Sequence, residues 1–183
     1  MKSVKTVSIF LAMVVLAVAT ACSSKTKAPD VTDDIRHSLD QAGLSDVRVS
    51  QDRDKNVVTL SGTVHNDSDK TRAESIARSA AGNQVVANEV AVEPTGDESD
   101  AKKVNSDVDK GIDKNLEAML VEHKMDRGVR HDVKNGVVTL KGTVTSQSKR
   151  TSVEKVAAQV PNVKQVVNEL EVKNQKATST ESR

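Results

Sequence analysis

The chain has 183 residues, a formal net charge of +1, one cysteine, one phenylalanine and no tyrosine or tryptophan. A single cysteine excludes an intramolecular disulfide. So few aromatics remove stacking on sugar rings or unpaired bases as a mode of recognition, which weakens glycan-binding and single-stranded nucleic-acid readings from the outset.

At the N-terminus, Lys2 and Lys5 precede an almost wholly apolar run, Val7 to Val18, and the small residues Ala19, Thr20 and Ala21 stand before Cys22. This is the layout of an export signal over residues 1–21. Its apolar run falls well short of the ~20 residues that a spanning helix requires. Phe10 departs with the signal, leaving a mature chain without aromatics. The setting of Cys22 resembles a bacterial lipobox, with Ala19 where that motif usually carries Leu, Val or Ile. The resemblance implies cleavage before Cys22, diacylglycerol on its thiol, an amide-linked acyl chain and no other cofactor. Because Ser23 follows rather than aspartate, it also implies the periplasmic face of the outer membrane. At ~0.8 kcal/mol per buried methylene, several acyl chains make attachment effectively permanent. Residues 22–30 then read as a lipidated tether.

From residue 31 a pattern begins that occurs twice. Val31, Ile35, Leu39 and Ala42 form a helical stripe, and Val47 and Val49 alternate toward a turn near Asp54-Lys55-Asn56. Val57-Val58-Thr59-Leu60-Ser61-Gly62-Thr63-Val64 follows as a strand in which Val58, Leu60, Gly62 and Val64 share the apolar face. A glycine there fits a helix approaching the sheet closely, or a bulge at the strand end. Asn66-Asp67-Ser68 opens a second helix that carries Ala73, Ile76, Ala77 and Ala80 and ends at Gly82. The last strand, Gln84 to Val92, places Val86, Asn88, Val90 and Val92 on one side. An asparagine on an apolar side is read as a paired polar group.

Glu93 to Asp107, with Pro94, Gly96 and many charges, reads as a linker. The pattern then returns over 108–172. Val108, Ile112, Leu116, Met119 and Leu120 make the first stripe; Val129, His131 and Val133 alternate toward Asn135-Gly136, a strong hairpin signal. Val137-Val138-Thr139-Leu140-Lys141-Gly142-Thr143-Val144 repeats the earlier strand eighty positions later. Thr145-Ser146 opens the next helix, Pro161-Asn162 ends it, and Asn168 falls where Asn88 does. Residues 173–183 are polar and read as a disordered tail.

The duplication is the dominant organisational signal. Each copy reads helix, strand, strand, helix, strand, an α+β unit with a small three-stranded mixed sheet covered by two helices. A core of this size is marginal on its own, so contact between the copies is expected. The motif V-V-T-L-x-G-T-V, followed by a helix and V-x-N-E-[VL]-x-V, resembles the BON domain (bacterial OsmY and nodulation) family in both copies, residues 31–92 and 108–172. The family usually has a Gly-Val pair before the last strand, of which Gly82-Asn83 and Asn162-Val163 each keep half. For an exported lipoprotein with two such modules, the resemblance implies outer-membrane integrity, envelope stress tolerance and binding of anionic phospholipid.

Catalytic signals are missing. His37, His65, His123 and His131 lack metal-ligand spacing, and no serine sits in a nucleophile elbow. His131 reads as a partly buried strand residue. The chain is therefore expected not to be an enzyme and to use no metal. Charge is unequally shared: residues 31–92 hold seven Lys/Arg and ten Asp/Glu, a balance of −3, whereas 108–172 hold eleven and nine, a balance of +2. The second module is the better candidate for an anionic surface. Lys110, Lys114, Glu117 and Val121 fall at spacings of four, three and four on a helix face away from the core, and Lys124, Arg127 and Arg130 extend that side. Lys110, Lys114, Val121, Lys124 and Arg127 are the candidate phospholipid-binding residues. The rival reading is an interaction scaffold or chaperone-like partner for envelope proteins; nucleic acid is not an expected partner.

Overall fold

The computed structural model describes residues 27–173. The expected signal (1–21), Cys22 with most of its tether, and the tail from residue 174 lie outside the described residues. In chain order the first module comprises α1 (Thr32–Gln41), β1 (Val47–Asp52), β2 (Val57–Val64), α2 (Asp67–Ala81), β3 (Val85–Asn88) and β4 (Ala91–Val92). The second comprises α3 (Glu98–Glu122), β5 (Val129–Lys134), β6 (Val137–Val144), α4 (Gln147–Ala158), β7 (Gln165–Asn168) and β8 (Glu171–Val172). Each unit is the expected α+β module with a mixed sheet. Its central strand pairs antiparallel with the strand before it and parallel with the one after the crossover helix.

Local chemistry explains the boundaries. Asn66 and Ser146 cap α2 and α4 by accepting the backbone N–H groups of Asp69 (2.8 Å) and Lys149 (3.1 Å). The hairpin loop Asn135-Gly136 has both residues at positive φ, 49° and 82°, the turn that matches strand twist. α4 stops at Ala158, ahead of Pro161. The α3 helix starts at Glu98, so residues 98–107, which composition assigns to the linker, are helical.

The core lies between helices and sheet. Ile35 and Leu39 meet Val58, Leu60, Ala73, Ala77 and Val90; in the second module Ile112 and Leu116 meet Val138, Leu140, Val153 and Ala157. The third strand is one strand interrupted once, since β3 and β4 pair with β2 at the same offset. At the break, the Asn88 amide oxygen accepts the N–H of Val90 (3.4 Å), and its NH2 donates to Lys70 O (3.2 Å) and Glu74 Oε2 (3.0 Å) on α2. Asn168 does the same for Leu170 N, Arg150 O and Glu154 Oε2. These are the paired polar groups the repeat suggested, and they stitch the broken ladder to the crossover helix.

The strand glycines serve a different purpose from the helix approach considered above. Gly62 and Gly142 have φ of 110° and 117°. A Cβ on either would overlap a backbone carbonyl oxygen at the entry to the neighbouring strand, that of Asp46 or Gly128. Each glycine forms the last pair of its antiparallel ladder, with Val47 or Val129, and the register runs up to it without an extra residue. Close packing of α2 comes instead from its own buried alanines, Ala73, Ala77 and Ala81.

Gly62→Ala is expected to lower stability by about 3 kcal/mol, from left-handed backbone strain together with a backbone clash. Gly82→Ala, at φ 60° with open space around it, is expected to lose only about 1 kcal/mol. Urea midpoints at constant slope measure both; equal losses would refute the clash.

Candidate functional site

The α3 helix carries the candidate face. Ile112, Leu116 and Leu120 are buried on one side; Lys110, Lys114 and Val121 are exposed on the other, Val121 to 57%. Because α3 begins at Glu98, Lys103 joins them. Residues 103, 110, 114 and 121 are separated by seven, four and seven positions, which places all four in one stripe about 27 Å long at 1.5 Å per residue. Sequence reading missed Lys103 because it fell in the segment taken for linker. Lys110 makes a loose, exposed pair with Asp107 (3.3 Å), worth little in solution.

Lys124 stands just past the helix end with a φ of 54°. The N–H of Met125 reaches Leu120 O (2.7 Å) and that of Lys124 reaches Val121 O (3.0 Å), the pair of bonds that closes a Schellman motif. The corresponding closure of α1 uses Gly43 at φ 75°, with Leu44 N to Leu39 O (2.9 Å) and Gly43 N to Asp40 O (3.0 Å). The second module thus holds a lysine where the first has the residue that fits best. Arg127 is exposed in the following loop, and its carbonyl accepts from Lys149 Nζ (3.3 Å). That bond brings a cation from α4 to this end. Arg130 does not extend the stripe: in β5 the inward positions are Val129, His131 and Val133, so Arg130 points to the sheet face away from the helices. His131 is largely buried and bonds Asp113 on α3 through Nε2 (2.9 Å), the partly buried strand residue expected.

The modules meet through a seam of approximate two-fold character. Val57 and Ala87 pack with Val137 and Val167, the same two positions of each copy. The Gln165 amide covers the outer edge of β3, accepting from Asn88 N (3.2 Å) and donating to Val86 O (2.7 Å). Asn135 Nδ2 donates to Glu89 O (2.7 Å), Lys134 pairs with Glu89 (3.4 Å), and Lys55 pairs with Glu171. Burial pushes the Glu169 carboxyl above the ordinary glutamate range; Lys141 and Lys55 pull it back, while Asp52 and Asp132 add to the rise. Burial likewise lowers the Lys70 ammonium, helped by Lys164 across the seam. Among the described residues no helix is long and apolar enough to cross a membrane.

Comparison with known proteins gives consistent matches. The BON domain model matches residues 28–94 and 108–174. An "Uncharacterized protein in gshII 5'region" of Anaplasma centrale is 33% identical over 132 residues, covering 71% of this chain and 82% of that protein. The "Osmotically-inducible protein Y" of Escherichia coli is 30% identical over 137 residues, covering 74% and 67% respectively. Among solved structures, the C-terminal domain of CdsD, a structural protein of the Type III secretion system of Chlamydia trachomatis, aligns with 80% of this chain and 99% of its own at 14% identity and a TM-score of 0.33. A likeness that loose carries no argument.

Since the folded pKa of Glu169 is raised, its ionisation costs stability at neutral pH and costs nothing below the unfolded value of about 4.3. Glu169→Gln is therefore expected to raise the urea midpoint at pH 7, with the gain fading as pH falls through the folded pKa and absent near pH 4. A less stable variant at pH 7 would show that Lys141 and Lys55 outweigh burial.

Proposed function

Because this chain belongs to the BON domain family, through matches that span both of its repeats, we propose that it is a lipid-anchored periplasmic protein of the outer membrane. In this reading it binds anionic phospholipid without catalysis and supports envelope integrity under stress. The observation that carries the proposal is the stripe of Lys103, Lys110, Lys114 and Val121 on α3, three cations against the acids Glu117 and Asp107 on that face. Cations near an anionic bilayer contribute ~1 kcal/mol each, and a lone aliphatic side chain among them adds contact without deep insertion. With no aromatic in the mature chain, charge and aliphatic contact are the means left for holding a headgroup layer.

The tether to the anchor is short. Ala28 and Pro29 are bound to the first module, through Ala28 N to Arg53 O (3.0 Å) and through Gln51 and Gln84 to Pro29 O. Only Ser23 to Lys27 therefore span from Cys22 to the module, a reach of up to about 20 Å when extended. A tether of that length keeps the first module close to the membrane that holds Cys22. Attachment by the acyl chains makes every later contact intramolecular, so weak headgroup binding suffices to set orientation. The osmotic induction named for the Escherichia coli relative fits a role in envelope stress.

The mature chain with Cys22 replaced by serine, sedimented with phosphatidylglycerol-containing and pure phosphatidylcholine vesicles, tests the reading. Binding is expected only to the anionic vesicles and is expected to weaken with salt. Lys110→Glu with Lys114→Glu reverses two charges, a change of four charge units, and is expected to weaken it by about 1000-fold. Salt-insensitive binding to both vesicles, or none, would sink the lipid mechanism. A separate expectation concerns Lys124→Gly: about 1 kcal/mol more stable, because the left-handed position is relieved, yet about fivefold weaker on anionic vesicles. Unchanged vesicle binding would remove Lys124 from the site.

A further inference from the structure

A cleft of about 640 Å3 opens between the modules, walled by the exposed sheet face of the first module, the N-terminal half of α3 and the β5–β6 hairpin. Its volume is in the range of small-ligand sites. The lining is polar, with four cations, Arg48, Lys102, Lys110 and Lys134, against three carboxylates, Glu93, Asp109 and Asp113. The carboxylates are mostly committed. Both oxygens of Asp109 accept backbone N–H groups, from Asn135 (2.7 Å) and Gly136 (2.9 Å), which locks α3 to the hairpin. Asp113 is held by His131 (2.9 Å), and Lys134 by Glu89 (3.4 Å).

What remains is a set of free donors. Arg48 and Lys102 make no ion pair or hydrogen bond among the described residues, and Lys110 has only its exposed contact with Asp107. Asp109 and Asp113 keep their charge, so these three cations face three carboxylates, of which only that of Glu93 makes no hydrogen bond or ion pair among the described residues. Thr63 and Asn105 line the same space and add neutral donors. Only Ala91 and Val133 are apolar in the lining, so a hydrocarbon chain finds no wall there. The chemistry that fits is a compact anion carrying hydroxyl groups, held by the free donors of Arg48 and Lys102.

We propose that this cleft binds the phosphate of an anionic lipid headgroup, with Arg48 from the first module and Lys102 and Lys110 from α3 as its cationic walls. The proposal rests on the lipid reading above and adds a site to it. Lys110 belongs to both the exposed stripe and the cleft lining, so a bilayer lying on the stripe presents headgroups at the cleft mouth. The first module, acidic overall, then takes part through one arginine. Arg48 suits this role because its planar fork can hold two phosphate oxygens at once.

The test uses the same serine-substituted mature chain and variants outside the exposed stripe. Arg48→Ala and Lys102→Ala are each expected to weaken binding to phosphatidylglycerol vesicles by about tenfold, while Arg48→Lys recovers part of the loss. Glycerol phosphate, titrated as a soluble probe, is expected to shift the amide resonances of Thr63 and Asn135 and to be displaced by anionic vesicles. Arg48→Ala and Lys102→Ala binding like the parent, while reversal at Lys110 and Lys114 abolishes binding, would overturn the cleft and leave the lipid reading standing. If none of the variants changes binding, both fall. If glycerol phosphate binds in the cleft but vesicles do not displace it, the site takes soluble phosphate and the lipid source is wrong.

Discussion

A sheet of three short strands has two faces, and two helices can cover only one of them. In each module α1 and α2, or α3 and α4, seal the inner face. On the outer face, Val57 and Ala87 of one copy meet Val137 and Val167 of the other, and Ala91 and Thr139 are buried as well. Burying the four side chains of the seam contributes a few kcal/mol at about 25 cal/mol per Å2. That is a large share of the stability a core of this size can supply. The seam fixes where α3 lies against the first module, and hence where both the stripe and the cleft are.

The copies share a frame and diverge at its fittings. Gly43 is replaced by Lys124 at the helix closure, Val49 by His131 on the inward side of the edge strand, and Val85 by Gln165 beside the seam. Each change has a physical reading. The lysine accepts a conformation glycine would adopt more easily. The histidine exchanges a core contact for a bond to Asp113. The glutamine amide stands in for a strand neighbour, offering an acceptor and a donor to the outward groups of β3. The frame itself, with Asn88 and Asn168 closing the broken ladder, is retained in both copies.

Much of this was legible in the chain. Period-two alternation identified the inner face of β2 and β6, the stripes gave the helices, and Asn135-Gly136 gave a two-residue turn. The features that escaped depend on distant partners or on backbone. Nothing near Gly62 in sequence announces that the Asp46 carbonyl oxygen lies against it. Pro94 and Gly96 drew the eye to a linker, yet no proline or glycine falls between Asp97 and Lys110, and an uninterrupted helix could start there. Arg130 was assigned by proximity along the chain, whereas a strand sends neighbouring side chains to opposite faces. The bridge from Gln165 to β3 and the partners of the Asp109 carboxylate join segments that only the folded chain brings together.

Duplication carries a hazard that the divergence answers. A patch that packs on a near-copy of itself is self-complementary, and the same contact could join two chains. The polar rim of the seam discriminates against this. Lys134 faces Glu89, but the first module has Asp52 at the position of Lys134, so two first modules meeting in this geometry would set Asp52 against Glu89. Lys55 would face Ala91, the counterpart of Glu171, and Val85 would leave the β3 edge uncovered. Like charges juxtaposed and backbone groups left unpaired both work against the wrong pairing. The first module therefore prefers the second, the second is tethered to it by a short segment, and the two are held so that the cations of α3 stand beside Arg48.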